Sequence, residues 1–180
     1  MSSTGALPTP SGTATPTAAP VYKPADATGP AQNVPVPVKA ALADEFSKAG
    51  IEEFSKYWYE TLSYAYETGD MSPMEAITDP GCSTCANVKE VVTGWHSEGR
   101  WLVGGKMEVF RVQSDYVAQS NGTYQAIAFV QQGGVDYYNA DGTIHKSAPT
   151  TKPITDIFVA RYSDGHWKAD VVEHASGQPK

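Results

Sequence analysis

One amphipathic stretch, residues 51–70, limits the fold of this chain more than any other part of the sequence. Its apolar side chains recur at helical spacing, which predicts one long helix with an aromatic face. The residues of that face are Ile51, Phe54, Trp58, Leu62 and Ala65, with Tyr57, Tyr64 and Tyr66 beside them. Gly69 is placed to end the helix, because glycine adopts a left-handed backbone conformation without strain. The other elements must cover this face.

Length and charge exclude several classes of protein. At 180 residues the chain is long enough for one domain and a tail. Nucleic-acid binding requires clustered Lys and Arg, whereas the 13 such residues here are scattered singly and the net charge is −7. No apolar run approaches the ~20 residues that span a bilayer, and no secretion signal is visible. The cysteines and histidines lack metal-ligand spacing, so we expect no metal and no cofactor.

The N-terminal part of the chain has the composition of a tether. Eight of the 13 prolines lie in the first 37 residues, and the first charged side chain is Lys23. Such a segment buries too little apolar surface to offset its ordering entropy, so residues 1–41 are predicted to be disordered or extended. Residues 42–180 then form the folded domain. A stalk that holds the domain off a membrane and an ordinary flexible terminus both fit this composition.

Two further helices are predicted after the long one. Ser72, Pro73 and Glu75 read as a capping box, with Ser72 at the N-cap and Glu75 reaching back to it. A third helix is expected over residues 83–97, with Val88, Val91, Val92 and Trp95 on one face.

Four strands are predicted in the second half, at residues 106–117, 123–138, 154–162 and 166–173, with a polar loop over residues 139–153. Asn121-Gly122 and Asp164-Gly165 mark tight hairpins. Hairpin connections give an antiparallel meander, so the expected fold class is α+β, with N-terminal helices packed on a curved four-stranded antiparallel sheet.

Several motifs carry a family resemblance. Gly69-Asp70 after the aromatic helix, followed by a short helix and Asp79-Pro80-Gly81-Cys82, resembles the opening of nuclear-transport-factor-2-like (NTF2-like) cone domains. More specifically, the chain resembles an uncharacterised family of actinobacterial lipoproteins over nearly its whole length. The shared motifs are Tyr22-Lys23-Pro24-Ala25, Gly29-Pro30-Ala31, Tyr57-Trp58-Tyr59, Cys82-x-x-Cys85 and Gly99-Arg100-Trp101-Leu102-Val103-Gly104-Gly105. The resemblance implies export and an N-terminal lipid anchor absent from this chain, while the family's activity is unknown.

Cys82 and Cys85 are the only cysteines, at the predicted start of the third helix. A structural disulfide in an oxidising compartment is the favoured interpretation. Free thiols, a redox pair and a metal site remain alternatives, since helix N-terminal amides lower a thiol pKa, but no βαβ pattern surrounds the pair.

Two aspartates are candidates for a general base. Asp156 shares its strand alternation with Phe158, and Asp170 falls within a half-buried strand. A carboxylate inside an aromatic cone would have a raised pKa and could abstract a proton. The alternative is an outward-facing carboxylate paired with Arg161 or Arg111.

The aromatic residues define a candidate pocket between helix and sheet. Its members would be Tyr57, Trp58, Trp95, Trp101 and Tyr124, together with Asp156 and Asp170. The same side chains could instead fill the core, which we favour.

The resulting functional hypothesis is an extracytoplasmic, membrane-tethered lipoprotein domain that is non-catalytic and binds a protein partner or a small ligand at the cell envelope. The alternative is a small enzyme that uses the cone pocket with Asp156 or Asp170 as base. Related cones often pair through the sheet, which adds a homodimer to the candidate partners. An enzyme requires a cavity with a buried polar group, whereas a binding module requires an exposed apolar patch.

Overall fold

The long aromatic helix forms as predicted. In a computed structural model that describes Met1 and residues 20–175, helix α1 spans Lys48–Thr68 and follows a short 3-10 turn at Ala41–Asp44. The Ser47 side chain caps α1 by accepting a hydrogen bond from the Gly50 amide at 3.0 Å. Gly69 ends the helix with φ 78°, and its amide donates to the Ala65 carbonyl.

The start of the second helix differs from the prediction. Helix α2 spans Ser72–Ala76, Met71 is its N-cap, and Ser72 already lies inside the helix. The capping acceptor is Asp70, whose Oδ1 accepts from the Ser72 amide at 2.9 Å and the Ser72 hydroxyl at 2.6 Å. The predicted capping box with Ser72 at the N-cap is therefore wrong, because a charged carboxylate two residues earlier is a stronger acceptor at a helix N-terminus.

The third helix, α3, spans Ser83–His96 and agrees with the prediction, and a 3-10 turn at Ser97–Gly99 follows it. No helix among residues 20–175 is long and apolar enough to cross a membrane.

Seven strands form two antiparallel sheets in the described part of the chain. They are β1 (Trp101–Gly104), β2 (Met107–Ser114), β3 (Thr123–Gln132), β4 (Val135–Tyr138), β5 (Ile144–Ala148), β6 (Ile154–Ser163) and β7 (His166–His174). One sheet has the order β2-β3-β6-β7 and the other β1-β4-β5. The predicted α+β class and the four-stranded antiparallel sheet are confirmed.

The three-stranded sheet was not predicted. The second predicted strand divides at Gly133-Gly134 into β3 and β4, and the predicted polar loop contains β5. Gly104 pairs with Val135 beside this break, and a Cβ on Gly104 would lie 2.2 Å from the Gly134 carbonyl oxygen. The two backbones therefore approach more closely than any side chain would allow.

The core lies between α1 and the inner face of the four-stranded sheet. Phe54 of α1 meets Phe158 of β6 edge to face, with ring centroids 5.8 Å apart. Opposite the bulky helix face, the sheet presents small buried residues, which are Ala126, Ala128, Ala160 and Ala169. Large side chains on the helix and small ones on the strands together fill the interior.

The segment from residue 20 to residue 40, which the sequence places in a disordered tether, makes defined contacts with the domain. The Tyr22 hydroxyl donates to Glu67 at 2.6 Å, and the Trp101 indole donates to the Asp26 carbonyl at 2.9 Å. Lys23 and Gln32 form an antiparallel bridge. These contacts are made by aromatic side chains and backbone groups, and a prediction from proline content and charge takes no account of such contacts. The prediction for residues 2–19 lies outside the described residues.

Two helical glycines should respond oppositely to alanine. A Cβ on Gly50 would lie 1.9 Å from the Glu45 carbonyl oxygen, whereas a Cβ on Gly94 would meet nothing within 4 Å. We expect Gly50→Ala to lower the free energy of unfolding by about 1–3 kcal/mol, as overpacking does. Gly94→Ala should raise it by about 0.5–1 kcal/mol, because alanine has less backbone freedom to lose. Urea unfolding of both variants measures the difference, and equal effects would contradict the role of Gly50.

Candidate functional site

The predicted aromatic pocket does not form a single site. Trp58 is buried in the core, and its indole donates to the Thr78 hydroxyl at 2.8 Å. Trp95 and Trp101 lie beside the three-stranded sheet, where Trp101 stacks on Tyr138 with ring centroids 5.2 Å apart. Tyr57 is half-buried on α1. These side chains line none of the three cavities found among the described residues. The structure therefore distributes them among separate packing positions.

Tyr124, the remaining aromatic member, lies at the start of β3 in a cluster of rings. It packs edge to face against Trp167, with centroids 5.5 Å apart, and stacks on Tyr116 at 4.9 Å. This cluster sits at the end of the sheet opposite Asp156.

Of the two candidate bases, Asp156 is the one that lies in the interior, and only 4 % of its surface is exposed. Its Oδ2 accepts a hydrogen bond from the Tyr59 hydroxyl at 2.7 Å, and its Oδ1 lies 2.6 Å from Nδ1 of His174. Burial raises the pKa of Tyr59, and the Asp156 charge raises it further, so the phenol remains the donor. These contacts tie α1 to β6 and β7.

The His174 side chain that completes this network is 71 % exposed. Sequence reasoning left open whether Asp156 points into the domain or pairs with an arginine on its outside, and it identified neither Tyr59 nor His174 as a partner. Tyr59 is 97 residues away, and His174 is opposite Asp156 only through the β6–β7 register. Both carboxylate oxygens are engaged, and Asp156 lines none of the three cavities.

Asp170 occupies the opposite environment. Its carboxylate accepts from Nη2 of Arg161 at 2.8 Å on the outside of the sheet. This ion pair is the arrangement that the sequence offered as the alternative to a catalytic base. Arg161 and Asp170 lie on adjacent strands, β6 and β7, so the pairing follows from the hairpin.

Cys82 and Cys85 are joined in a disulfide, and both are buried. Cys82 is the N-cap of α3, and its sulfur lies 3.4 Å from the Cys85 amide. A cavity of about 410 Å³ lies beside the disulfide, with Met71 and Met74 in its wall. The disulfide fixes the first turn of α3 next to α2.

A larger groove, of about 750 Å³, separates the N-terminal segment from the outer side of α1. Tyr22 and Pro35 line it from the N-terminal segment, Tyr64 and Glu67 from α1, and Lys106 from the strand side. The Tyr22–Glu67 hydrogen bond closes the groove at one point.

The outer face of the four-stranded sheet carries a contiguous apolar patch. Its exposed members, between 37 % and 47 % accessible, are Phe110, Ile127, Phe129 and Val171. Ile157 and Val159 are half-buried among them. The register aligns Ile127 with Ile157 and Val159 with Val171 across neighbouring strands, and the Phe110 and Phe129 rings lie 5.7 Å apart. We call these six residues the outer patch.

Opposite charges border the outer patch. Arg111 of β2 is aligned with Phe129, and Glu173 of β7 with Ile157, so both side chains share the outer face. They lie on the two edge strands of the sheet. Neither forms an ion pair with a described residue. Among the residues that the structure describes, no group of three or more His, Cys, Asp and Glu side chains is arranged to hold a metal ion.

Comparison with known proteins gives a family and distant structural relatives. The model of a family of unknown function (DUF6318) matches residues 20–173. No curated protein matches the chain significantly.

Three solved structures similar to this chain share 11–12 % identity with it. The intermembrane space region of the chloroplast protein ARC6 is 12 % identical to this chain, with a TM-score of 0.47. The match covers 71 % of this chain and 95 % of the ARC6 chain. A variant of the protein Rd1NTF2_05 is 11 % identical to this chain, with a TM-score of 0.37. The match covers 68 % of this chain and 97 % of the variant. A Xanthomonas campestris structure described as a calcium/calmodulin dependent protein kinase II association domain is 12 % identical, with a TM-score of 0.35. The match covers 81 % of this chain and 99 % of that chain.

The Asp156 network predicts a stability effect. Tyr59→Phe removes the donor to a buried carboxylate oxygen, so the free energy of unfolding should fall by about 1–3 kcal/mol. Tyr64→Phe is the matched control, because its hydroxyl lies 3.5 Å from an exposed Asp70 carboxylate. We expect that control to stay within about 0.5 kcal/mol of the wild type. Denaturant unfolding compares the two, and a Tyr59→Phe value as small as the control would contradict a structural role for the bond.

Proposed function

The chain belongs to this family of unknown function, and we propose that its folded domain is a non-catalytic binding module of the cell envelope that associates with a second copy of itself through the outer patch. The observation that carries the proposal is the contiguity of six apolar side chains on one sheet face, four of them exposed and two half-buried. Contiguous exposed apolar surface marks interaction sites, whereas isolated exposed side chains are ordinary.

The charges around the outer patch favour a second copy as the occupant. A two-fold axis parallel to the strands sets β2 of one copy over β7 of the other, because the sheet order is β2-β3-β6-β7. Arg111 of each copy then faces Glu173 of its partner, and the apolar residues meet in the middle. A self-complementary face of this kind is what a two-fold interface requires.

The enzyme alternative gains little support from the geometry. Both oxygens of Asp156 are engaged in hydrogen bonds with Tyr59 and His174. Asp170 is paired with Arg161 on the outer face of the sheet. A base that acts on a ligand needs a free oxygen within reach of it. Neither carboxylate lines a cavity among the described residues.

Charge reversal tests the dimer. Arg111→Glu and Glu173→Arg should each weaken self-association at least about tenfold, since like charges then face each other. The double variant should recover most of the lost affinity, because the pair is restored with its signs exchanged. Sedimentation velocity over a concentration series measures the association of all four proteins.

An apolar substitution provides the second arm of this test. Phe129→Glu should leave a monomer, whereas Val91→Glu, on the exposed side of α3, should not change the association. A wild-type chain that stays monomeric at all concentrations, or a charge-exchanged variant that fails to recover, would overturn the homodimer.

The envelope location rests on two arguments. A disulfide between the only two cysteines fits an oxidising compartment, since the cytosol keeps thiols reduced. The N-terminal lipid anchor rests on the resemblance to the lipoprotein family and on the proline-rich N-terminal composition.

The oxidation state tests the compartment. In protein isolated from its own host, Cys82 and Cys85 should resist alkylation under denaturing conditions until a reductant is added. Protein expressed in a reducing cytosol is the control, with both thiols expected to react. Alkylation of the host protein without reductant would contradict an extracytoplasmic location.

A further inference from the structure

A cluster of four aromatic side chains surrounds the ring of Phe46. Phe46 lies in the loop between the 3-10 turn and α1, and its ring centroid is 4.7 Å from that of Tyr162, 5.5 Å from Tyr124 and 5.8 Å from both Tyr116 and Trp167. Three of the rings come from the ends of β3, β6 and β7, and Tyr116 comes from the loop that follows β2. All four lie at the end of the sheet away from Asp156. The domain therefore assembles an aromatic enclosure from residues distant in sequence.

Phe46 occupies this enclosure without being part of the core. It remains 53 % exposed, whereas Trp167 at the base is 2 % exposed. The backbone beside it is held independently, because the Trp167 indole donates to the Glu45 carbonyl at 2.8 Å and the Tyr162 hydroxyl to the Asp44 carbonyl at 2.9 Å. The Phe46 side chain can thus leave by rotation about its own bonds while the loop stays attached.

Tyr116 is held in the enclosure by an unusual backbone conformation. Its φ is 54°, in the left-handed region that a bulky residue rarely adopts. The Tyr116 amide donates to the Ser114 hydroxyl at 3.0 Å, which holds the turn. Strained conformations of this kind tend to persist where they orient a side chain for function.

We propose that Tyr116, Tyr124, Tyr162 and Trp167 form an aromatic cage for a quaternary ammonium group, and that Phe46 occupies the cage when no ligand is bound. A cation is attracted to the face of an aromatic ring when it lies within about 6 Å of the ring centroid. All four centroids lie within that distance of the Phe46 ring, and Tyr162, which stacks on Phe46, presents its face to that position.

Charge near the cage favours a cation over a neutral group. Glu45 and Asp115 directly precede Phe46 and Tyr116, and neither forms an ion pair with a described residue. Asp44 is nearby but already engaged by Lys39 and His166. The chain as a whole carries −7, which also attracts cations.

Choline and its neutral isostere 3,3-dimethylbutan-1-ol are the probes. The two differ at one atom, so a cation–π site should prefer choline, while a merely apolar cavity should not. NMR titration following the Trp167 indole N–H reports on the base of the cage. We expect choline to shift this signal in the wild type and to bind Phe46→Ala at least about fivefold more tightly, because the competing ring is gone.

Two variants complete the experiment. Tyr116→Gly removes one wall at a position where glycine is unstrained, so the domain should stay folded while choline affinity falls at least about fivefold. Phe110→Ala, an exposed phenylalanine of the outer patch, is the matched control and should leave choline binding unchanged.

Each outcome is decisive. Equal affinity for choline and the isostere would replace the cationic ligand class by an apolar one and overturn the proposal. Absence of a choline shift in folded Phe46→Ala would remove the cage itself. Should circular dichroism show that Phe46→Ala is unfolded, the same titration on Phe46→Leu gives the same decision. The self-association tests probe a different face, so the two proposals fail independently.

Discussion

The domain depends on the fit between a bulky helix face and a sheet face in which four alanines make room for the helix side chains. Phe54, Trp58 and Tyr59 of α1 occupy the interior, and all three are nearly inaccessible to solvent. The strands leave room for these rings because Ala128 and Ala160 project little from the backbone. Phe158 and Trp167 are the large strand residues that share this interior, and the outer patch lies on the opposite face of the same sheet.

Within that apolar interface, one polar network fixes how helix and sheet align. Asp156 accepts a hydrogen bond from Tyr59 of α1 and makes a second one with His174 of β7. A buried carboxylate without these partners would be strongly unfavourable. Apolar packing alone tolerates small shifts of one element against another, whereas two short hydrogen bonds do not. Asp156 therefore contributes to the specificity of the fold, which explains a buried carboxylate without assigning it to catalysis.

The features that local sequence determines were predictable. The limits of α1 follow from its periodicity and from Gly69, and the four-stranded meander follows from tight turns such as Asp164-Gly165. The predicted capping residue of α2 was wrong by two positions. Two polar residues, Asp70 and Ser72, are close enough to cap the same helix end, and the sequence does not show which of them does so.

Features set by long-range contacts were not predictable. Every residue of β5 is exposed, so that strand shows no apolar alternation and reads as a loop. The partners of Asp156 come from α1 and β7, and the four rings around Phe46 come from three strands and the loop after β2, so only the completed fold brings them together. The proline-rich composition of residues 20–40 gave no sign that the Trp101 indole would donate a hydrogen bond to the Asp26 carbonyl there.

The attachment of residues 20–40 also has a mechanical consequence. A chain pulled from its N-terminus transmits tension first to the bond between Tyr22 and Glu67, near the end of α1, and then to the bond between Asp26 and Trp101. These contacts would yield before tension reached Ala43 and Ile51, which are buried in the core. In a domain tethered to a surface through its N-terminus, this segment would detach first and lengthen under tension, while the helix and the sheet stay folded.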